Sequence, residues 1–560
     1  MARLPDCIAR KRAATLALMA LVIVVTPMVF PGARRTTPRA ADTTRPSAPP
    51  TATTIVEAPP TPVAAPSRPP STAPVLSRPT AAETTVVSTA RVRYALVSPG
   101  AAPLSVQLRG YRDLRPGASD TMALGETNAR LLHYRLALGK DTVNLDTVAF
   151  TRQESGPMVR FTSASPPVTI AYTLSQDGFV TSVRGSVANA PTNSSLLVDL
   201  PQYLRSGEAD TLDDERHLAY GYKLNRRDVS SVSFGKLEPG ATKVDSGAIT
   251  WVAVRNKYFL VALVRPADTL ASNDFRTFAM RGAPRTGKTA NRAMAVAVLP
   301  LTTDGRFGFD LYAGPQSWDH LHAIGNELEN VNPYAGWLHG VVQPFATIVM
   351  RVLLWMKRTM NVNYGWVLVI FGVVIRLLLW PLNQKAMRTS IAMQRLQPEL
   401  AEVQKKYKTD PDKQREALVK LYQAHGMSPL SPLLGCMPML LPMPVLFALY
   451  FVFQNTIEFR GVSFLWLPDI SLRDPLYITP LVMGASMFAL SWIGMQAAPP
   501  NPQTKMMSYM MPVMFTFFFL NFAAGLNLYY AVQNVAALPQ QWLLARERQK
   551  SGPDPGRPKR

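Results

Sequence analysis

The sequence predicts a membrane protein with two parts. One is an α-helical bundle of five core transmembrane helices plus an N-terminal anchor helix; the other is an exported all-β sandwich domain. Three observations carry that prediction. Apolar runs of membrane-crossing length fall at 364–384, 432–453, 477–495, 506–522 and 523–544. Basic residues gather at the ends of these runs, richly on one side and sparsely on the other. Between about 86 and 315 the apolar period shortens to two, the mark of half-buried strands.

With 560 residues, 47% apolar and 17% charged, the chain can hold a sizeable soluble domain and several spans. A net charge of +22 raises nucleic acid as a partner. No compact basic motif with interleaved aromatics supports that, and the cations sit where orientation signals sit. Cys7 and Cys436 flank a large soluble region without cysteine, which excludes a disulfide framework and a Cys-paired zinc site. The six histidines are scattered, with no HExxH spacing.

Arg3, Arg10, Lys11 and Arg12 precede the 18-residue apolar run from Ala13 to Phe30. The run is long for a signal core, and Pro31-Gly-Ala-Arg-Arg is a poor cleavage site, so residues 1–30 read as a cytoplasmic flank and an uncleaved anchor. Residues 31–85 hold 13 prolines among Thr, Ala and Ser. Such a segment buries too little apolar surface to offset its ordering entropy and reads as a disordered tether.

Residues 86–330 read as the β-sandwich. Val92, Tyr94 and Leu96 alternate with polar or small residues, as do Leu104, Val106 and Leu108. Val168, Ile170, Tyr172 and Leu174 lead through Gln176-Asp177-Gly178 into a return strand, a hairpin signal. Trp251–Val254 and Tyr258–Val264 flank Arg255-Asn256-Lys257 and predict a second hairpin. No carboxylate pair, Ser/His pair or metal cluster stands out, so the domain is expected to be folded and non-catalytic. The alternative is a membrane-anchored, export-side (periplasmic) carbohydrate-active or carbohydrate-binding protein.

Charge sets the topology of the helical core, 337–545. The segment 337–357 is interrupted by His339, Gln343, Pro344 and Arg351. If it spanned the membrane, 385–430 and its nine Lys/Arg would lie outside, against the positive-inside rule. It therefore reads as an amphipathic helix on the outer face. The span 364–384 then runs inward to a cytoplasmic helical hairpin, 385–425, broken at Thr409-Asp410-Pro411-Asp412. Spans 432–453 and 477–495 cross and return, and 506–522 with 523–544 form a tight pair. The tail, 546–560, carries six basic against two acidic residues and lies inside, whereas the outer loop 455–475 has two against three. Six spans with both termini in the cytoplasm satisfy every sign.

Arg376 stands inside the apolar run Tyr364–Leu382. A guanidinium at that depth costs several kcal/mol or more unless it meets water, a partner or headgroups. Snorkelling along its own stem is the plainer alternative. Asn527, Tyr530 and Asn534, at i, i+3 and i+7, form one face of the last helix, with Gln533 and Tyr529 beside it. Polar side chains in lipid demand partners, so this face is expected to look inward and give Arg376 a polar neighbourhood. Plain interhelical hydrogen bonding is the competing reading. Of 24 methionines, 17 fall in 337–560, so clustering rather than any single residue is the signal. Met437, Met439, Met443, Met506 and Met510, near the cytoplasmic ends, suit a surface accepting varied apolar sequences, or else fill gaps in a core. No span contains Asp or Glu, and no nucleotide motif or cofactor site is present, which argues against an ion-coupled pump and an ATP user. What remains is passive: a wet, positively charged half-groove.

Ile375-Arg376 with Trp380-Pro381-Leu382, then Gly435-Cys436-Met437-Pro438 with Met443-Pro444-Val445-Leu446-Phe447-Ala448-Leu449-Tyr450, resembles the YidC/Oxa/Alb membrane protein insertases. Met510-Met511-Pro512-Val513-Met514-Phe515 and Gly525-Leu526-Asn527-Leu528-Tyr529-Tyr530 extend the likeness, which covers roughly 335–545. The anchor and large β domain make it similar to the six-span bacterial YidC form, whose soluble domain is a β-supersandwich similar to sugar mutarotases. The resemblance implies a non-enzymatic insertase and folding chaperone of the bacterial inner membrane. It implies work on nascent membrane proteins, alone or beside the Sec translocon (SecYEG, SecDF), with the basic tail and cytoplasmic loops near ribosomes and lipids around the core. It also implies that Arg376 is the groove arginine and that Tyr529 and Tyr530 line the substrate path. Two positions depart from the pattern: Gly372 stands where relatives often carry a hydroxyl residue that meets substrate, and Pro442 where a Gln is common.

Overall fold

The computed structural model describes residues 83–550, apart from 119, 127–128, 269–272, 285–289, 333–338, 382, 385–395, 408–409, 426–442 and 497–501. The expected anchor, the tether up to 82, the end of the tail, Met437, Met439 and Pro442 lie outside the described residues.

Four strands, β1 (Thr84–Ser88), β2 (Val92–Val97), β3 (Ala102–Arg112) and β4 (Thr121–Leu124), pair antiparallel in sequence order. A second, fourteen-stranded sheet runs from His133 to Pro315. The two share one apolar core, in which Val92, Tyr94, Leu96, Val106 and Leu108 meet Val168, Ile170, Tyr172 and Leu174. Buried hydroxyls stitch them: Tyr172 donates to the Ala101 carbonyl at 2.6 Å and pairs with the Tyr134 hydroxyl at 2.9 Å. Alternation thus predicts the inward residues, with Leu104 as the exception. The β2–β3 register shifts after Ala95, so Leu96 faces Pro103 and Leu104 is left half-buried at the irregularity.

Both predicted hairpins form, Pro167–Leu174 with Val180–Val187 and Thr242–Arg255 with Phe259–Val264. In the second, every residue from Ile249 to Val264 is buried, without alternation, because this part of the sheet is covered on both faces. Even its polar tip is buried. Asn256 accepts from the Tyr258 and Phe259 amides at 3.2 and 2.8 Å, and Asp214 accepts from the Lys257 amide at 2.9 Å. Asp214 belongs to α1 (Thr211–Arg216), whose first turn is capped by Asp210.

The helical part follows α2 (Trp318–Ile324). It contains α3 (His339–Met360), α4 (Tyr364–Leu378), α5 (Gln397–Lys406), α6 (Pro411–Ala424), α7 (Met443–Asn455), α8 (Ile478–Gln496), α9 (Pro502–Phe519) and α10 (Ala524–Lys550). α3 is apolar on two sides: Phe345, Ile348, Val352 and Trp355 are exposed, while Ala346, Val349, Met350 and Leu353 are buried. Its axis and that of α4 are bent by 117° across the break between them. Asp410 caps α6 with Pro411 at its first position, which is why the hairpin breaks there.

Among the described residues α8 alone is long and apolar enough to cross a bilayer by itself; α3 and α4 qualify only as a bent pair. The reasons differ by element. α4 has 15 residues, α7 is described only from Met443, and α10 carries a heavy polar load along its 27 residues.

The loop between α7 and α8 is tightly built. Asp469 accepts from the Ser471 amide and hydroxyl and from the Gly461 amide, and Asp474 accepts from the Leu476 and Thr479 amides and the Trp466 indole. The loop pins the start of α10, with the Ala524 and Gly525 amides donating to Leu472 and Ile470 carbonyls at 2.7 and 2.9 Å. It also carries the β domain. Arg460 donates to Glu208 at 2.7 Å and to the Arg112 and Gly207 carbonyls at 2.8 and 2.9 Å, its guanidinium over the Phe259 ring. Ser317 donates to Glu458 at 2.9 Å, and Asn332 to Asn455 at 2.6 Å.

Candidate functional site

The site is the seam between α4 and α10. α4 begins where Asn363 accepts from the Gly365 amide at 2.8 Å, and it buries Gly365, Val367, Leu368, Phe371 and Gly372. Val373, Val374, Leu377 and Leu378 are exposed, the distribution of a helix with one face in lipid. Arg376 is half-buried between the two faces.

At Gly372 the two helices approach closely. A Cβ there would lie 3.1 Å from Val532 Cγ1 and 3.5 Å from Tyr529 Cδ2. The lack of a side chain lets Gln533 donate to the Gly372 carbonyl at 2.8 Å and to the Tyr529 hydroxyl at 3.0 Å. The Tyr529 ring also packs on Phe371, centroids 5.9 Å apart, and is buried. Two turns beyond Gln533, Gln540 accepts from Arg376 Nη2 at 2.7 Å and donates to the Trp380 carbonyl at 3.1 Å. Arg376 Nε is buried and has no hydrogen-bond partner among the described residues. A buried donor left unpaired costs about 1–3 kcal/mol, so it is a standing demand for water or another acceptor.

The polar face that meets Arg376 is therefore Tyr529, Gln533 and Gln540, at i, i+4 and i+11. The expectation that Asn527, Tyr530 and Asn534 form the neighbourhood of Arg376 is corrected. These three do share a face, but at about 100° per residue it points away from Gln533 and Gln540. Asn534 donates to Ser486 Oγ at 3.1 Å, on α8. Tyr530 packs on Phe519 with centroids 5.6 Å apart, and Asn527, fully buried, donates to the Phe519 carbonyl at 3.1 Å. They hold α10 to α8 and α9 by interhelical hydrogen bonds and ring packing, the plainer reading of such residues. Gln540 was legible only as the next member of the Gln533 face; without Arg376 opposite it, nothing marked it out.

Met506 and Met510 are 63% and 53% exposed on α9, in line with exposed Val513, Met514 and Phe517, so they are available for apolar contact. Met443 opens α7. Among the described residues no group of His, Cys, Asp and Glu could hold a metal ion. Outside the spans, burial pushes the Glu208 carboxyl up to about 7 despite the pull of Arg460, and pushes Asp214 up to about 6. Glu208 serves the docking of the β domain and Asp214 holds the tip of its buried hairpin.

Residues 84–348 match the family model described as YidC periplasmic domain, and residues 355–551 match that described as 60Kd inner membrane protein. The chain is similar to the membrane protein insertase YidC of an Anaeromyxobacter species, 36% identical over 303 residues, covering 54% of this chain and 52% of that one. It is similar to the membrane protein insertase YidC of Chlorobium phaeovibrioides, 31% identical over 431 residues, 74% of this chain and 68% of that one. A crystal structure of an active YidC insertase with its first transmembrane domain resolved aligns over 83% of this chain and 94% of that one, at 19% identity and a TM-score of 0.33. The chain spans about half the length of the Anaeromyxobacter relative it matches. With a β domain and a helical core each matched in order, the chain belongs to the YidC membrane protein insertase family.

Proposed function

We propose that this chain is a membrane protein insertase and folding chaperone. It places newly made proteins in the bacterial inner membrane, alone or beside the Sec translocon, and is not an enzyme. The observation that carries this reading is Arg376: a guanidinium on an apolar helix, held by Gln540, with a buried Nε still unpaired among the described residues. Such a group keeps water at depth, so a polar segment of a client can enter the seam while its apolar span slides into lipid. Tyr529 and Gln533 form the wall opposite, with Gly372 on the Arg376 helix letting them close in; Tyr530 and Asn534 brace that wall from behind, and Asn527 fixes its outer end. Met506 and Met510, with Met437, Met439 and Met443, offer the apolar surface at the inner end. The topology that goes with this has six spans, both termini in the cytoplasm, α3 in the outer interface, and α5–α6 with the basic tail facing ribosomes.

The test is reconstitution. Proteoliposomes holding the full chain are expected to convert a single-span client to a protease-protected form well above the level of empty liposomes; equality with empty liposomes would overturn the proposal. The carbohydrate reading is weaker. The open cavity of about 510 Å³ on the β domain has one carboxylate among its described lining residues, Asp274, and Arg265 already holds it at 2.8 Å. Removing residues 90–310 separates the readings: insertion persists under the first, at lower yield because Arg460 loses its three partners, and all function disappears under the second.

A further inference from the structure

We propose that Gln540 is a positioning residue that sets the charge preference of the seam by holding Arg376 through a neutral acceptor. This rests on the insertase reading above.

Gln540 is 3% exposed and makes both of its amide bonds inside the protein. Its nitrogen donates to the Trp380 carbonyl, two residues past the end of α4. That bond fixes the amide orientation. A flipped amide would set its NH₂ against the guanidinium and its oxygen against a carbonyl, two repulsive contacts. The oxygen is thereby committed to Arg376 Nη2, at 2.7 Å. Among the described residues Arg376 is tethered at Nη2, keeps its full charge, and has no partner for its buried Nε.

The identity of the tether therefore matters more than its presence. A neutral amide orients the cation without spending its charge on an internal partner. A carboxylate at the same position would hold the guanidinium in similar geometry but neutralise it, because two opposite unit charges a hydrogen bond apart attract strongly and leave little net field beyond the pair. An apolar side chain would leave the charge and lose the orientation. On the insertase reading, the group that gains from an uncancelled Arg376 charge is an acidic side chain on the client's translocated segment.

The experiment uses the full chain in proteoliposomes and two single-span clients identical except for two Asp or two Asn in the translocated segment. Gln540→Glu is expected to lower insertion of the Asp client about tenfold while the Asn client changes less than about twofold, the scale of one hydrogen bond to a charged group. Gln540→Met, close in volume, is expected to shrink the Asp/Asn ratio of the wild type with unchanged thermal melting. Equal losses for both clients would show a merely structural role and overturn the proposal. So would a wild-type ratio in both variants. Insertion of neither client by the wild type would overturn the insertase reading itself, and the proposal with it.

Discussion

Arg460 in the loop between α7 and α8 and Glu208 in the β domain form an ion pair at 2.7 Å with side chains only 4% and 7% exposed. The same guanidinium caps the Arg112 and Gly207 carbonyls, so one residue of the membrane part satisfies three acceptors of the soluble part. Removing Arg460 leaves the buried Glu208 carboxyl without its donor, at a cost of about 1–3 kcal/mol. Arg460→Ala is therefore expected to loosen the β domain from the core, seen as faster proteolysis between the two and a lower melting temperature. Arg460→Lys recovers only part of the loss, since an ammonium cannot fork to all three acceptors.

The pair also makes docking depend on pH. Burial holds Glu208 near 7, above its ordinary 4.5, so folding takes up a proton there. The stabilisation that comes with the proton is complete below the unfolded pKa and is lost as pH rises through the folded one. Asp214, raised to about 6 by burial, acts in the same direction over a lower window. The melting temperature of the docked domain is expected to fall between about pH 5 and about pH 8. Glu208→Gln is expected to flatten much of that slope; an unchanged slope would assign it elsewhere.

Gly525 is a close-approach glycine. A Cβ there would stand 2.4 Å from the Phe453 ring and 3.1 Å from the Ile470 carbonyl, between α7 and the loop that pins α10. Gly525→Ala is expected to cost about 1–3 kcal/mol through overpacking, measured as reduced folded yield in membranes.

Gly372 separates size from chemistry at the seam. Gly372→Ser needs only a small shift of Val532, because its Cβ would sit 3.1 Å from Cγ1, and insertion should persist. Gly372→Leu must push α4 from α10 and break the bond from Gln533 to the Gly372 carbonyl, so insertion in proteoliposomes should fall sharply. Equal activity of the two would contradict a tight seam.

Much of this arrangement was readable from periodicity. Val168, Ile170, Tyr172 and Leu174 announced a strand, Gln176-Asp177-Gly178 its turn, and Pro411 after Asp410 a helix start. These are local signals, carried by neighbours in sequence. What was not readable is pairwise and distant. The face Asn527–Tyr530–Asn534 was visible, but whether it turns to α4 or to α8 depends on the rotation of α10, which Ser486 and Gly372 decide from opposite sides. In the same way Arg255-Asn256-Lys257 reads as an exposed turn, and only Asp214 and the loop between α7 and α8 make it a buried junction. Arg460 and Glu208, about 250 residues apart, carry no mark of one another in sequence.

The central claim is that clients pass along the α4–α10 seam beside Arg376. The most direct measurement places a photo-crosslinker at Gln533, on the seam, or at Leu481, 57% exposed on α8, in cells that depend on this chain. Nascent membrane proteins are expected to be trapped from Gln533 and not from Leu481. No adduct from Gln533 while the variant sustains growth, or equal adducts from both positions, would contradict the account.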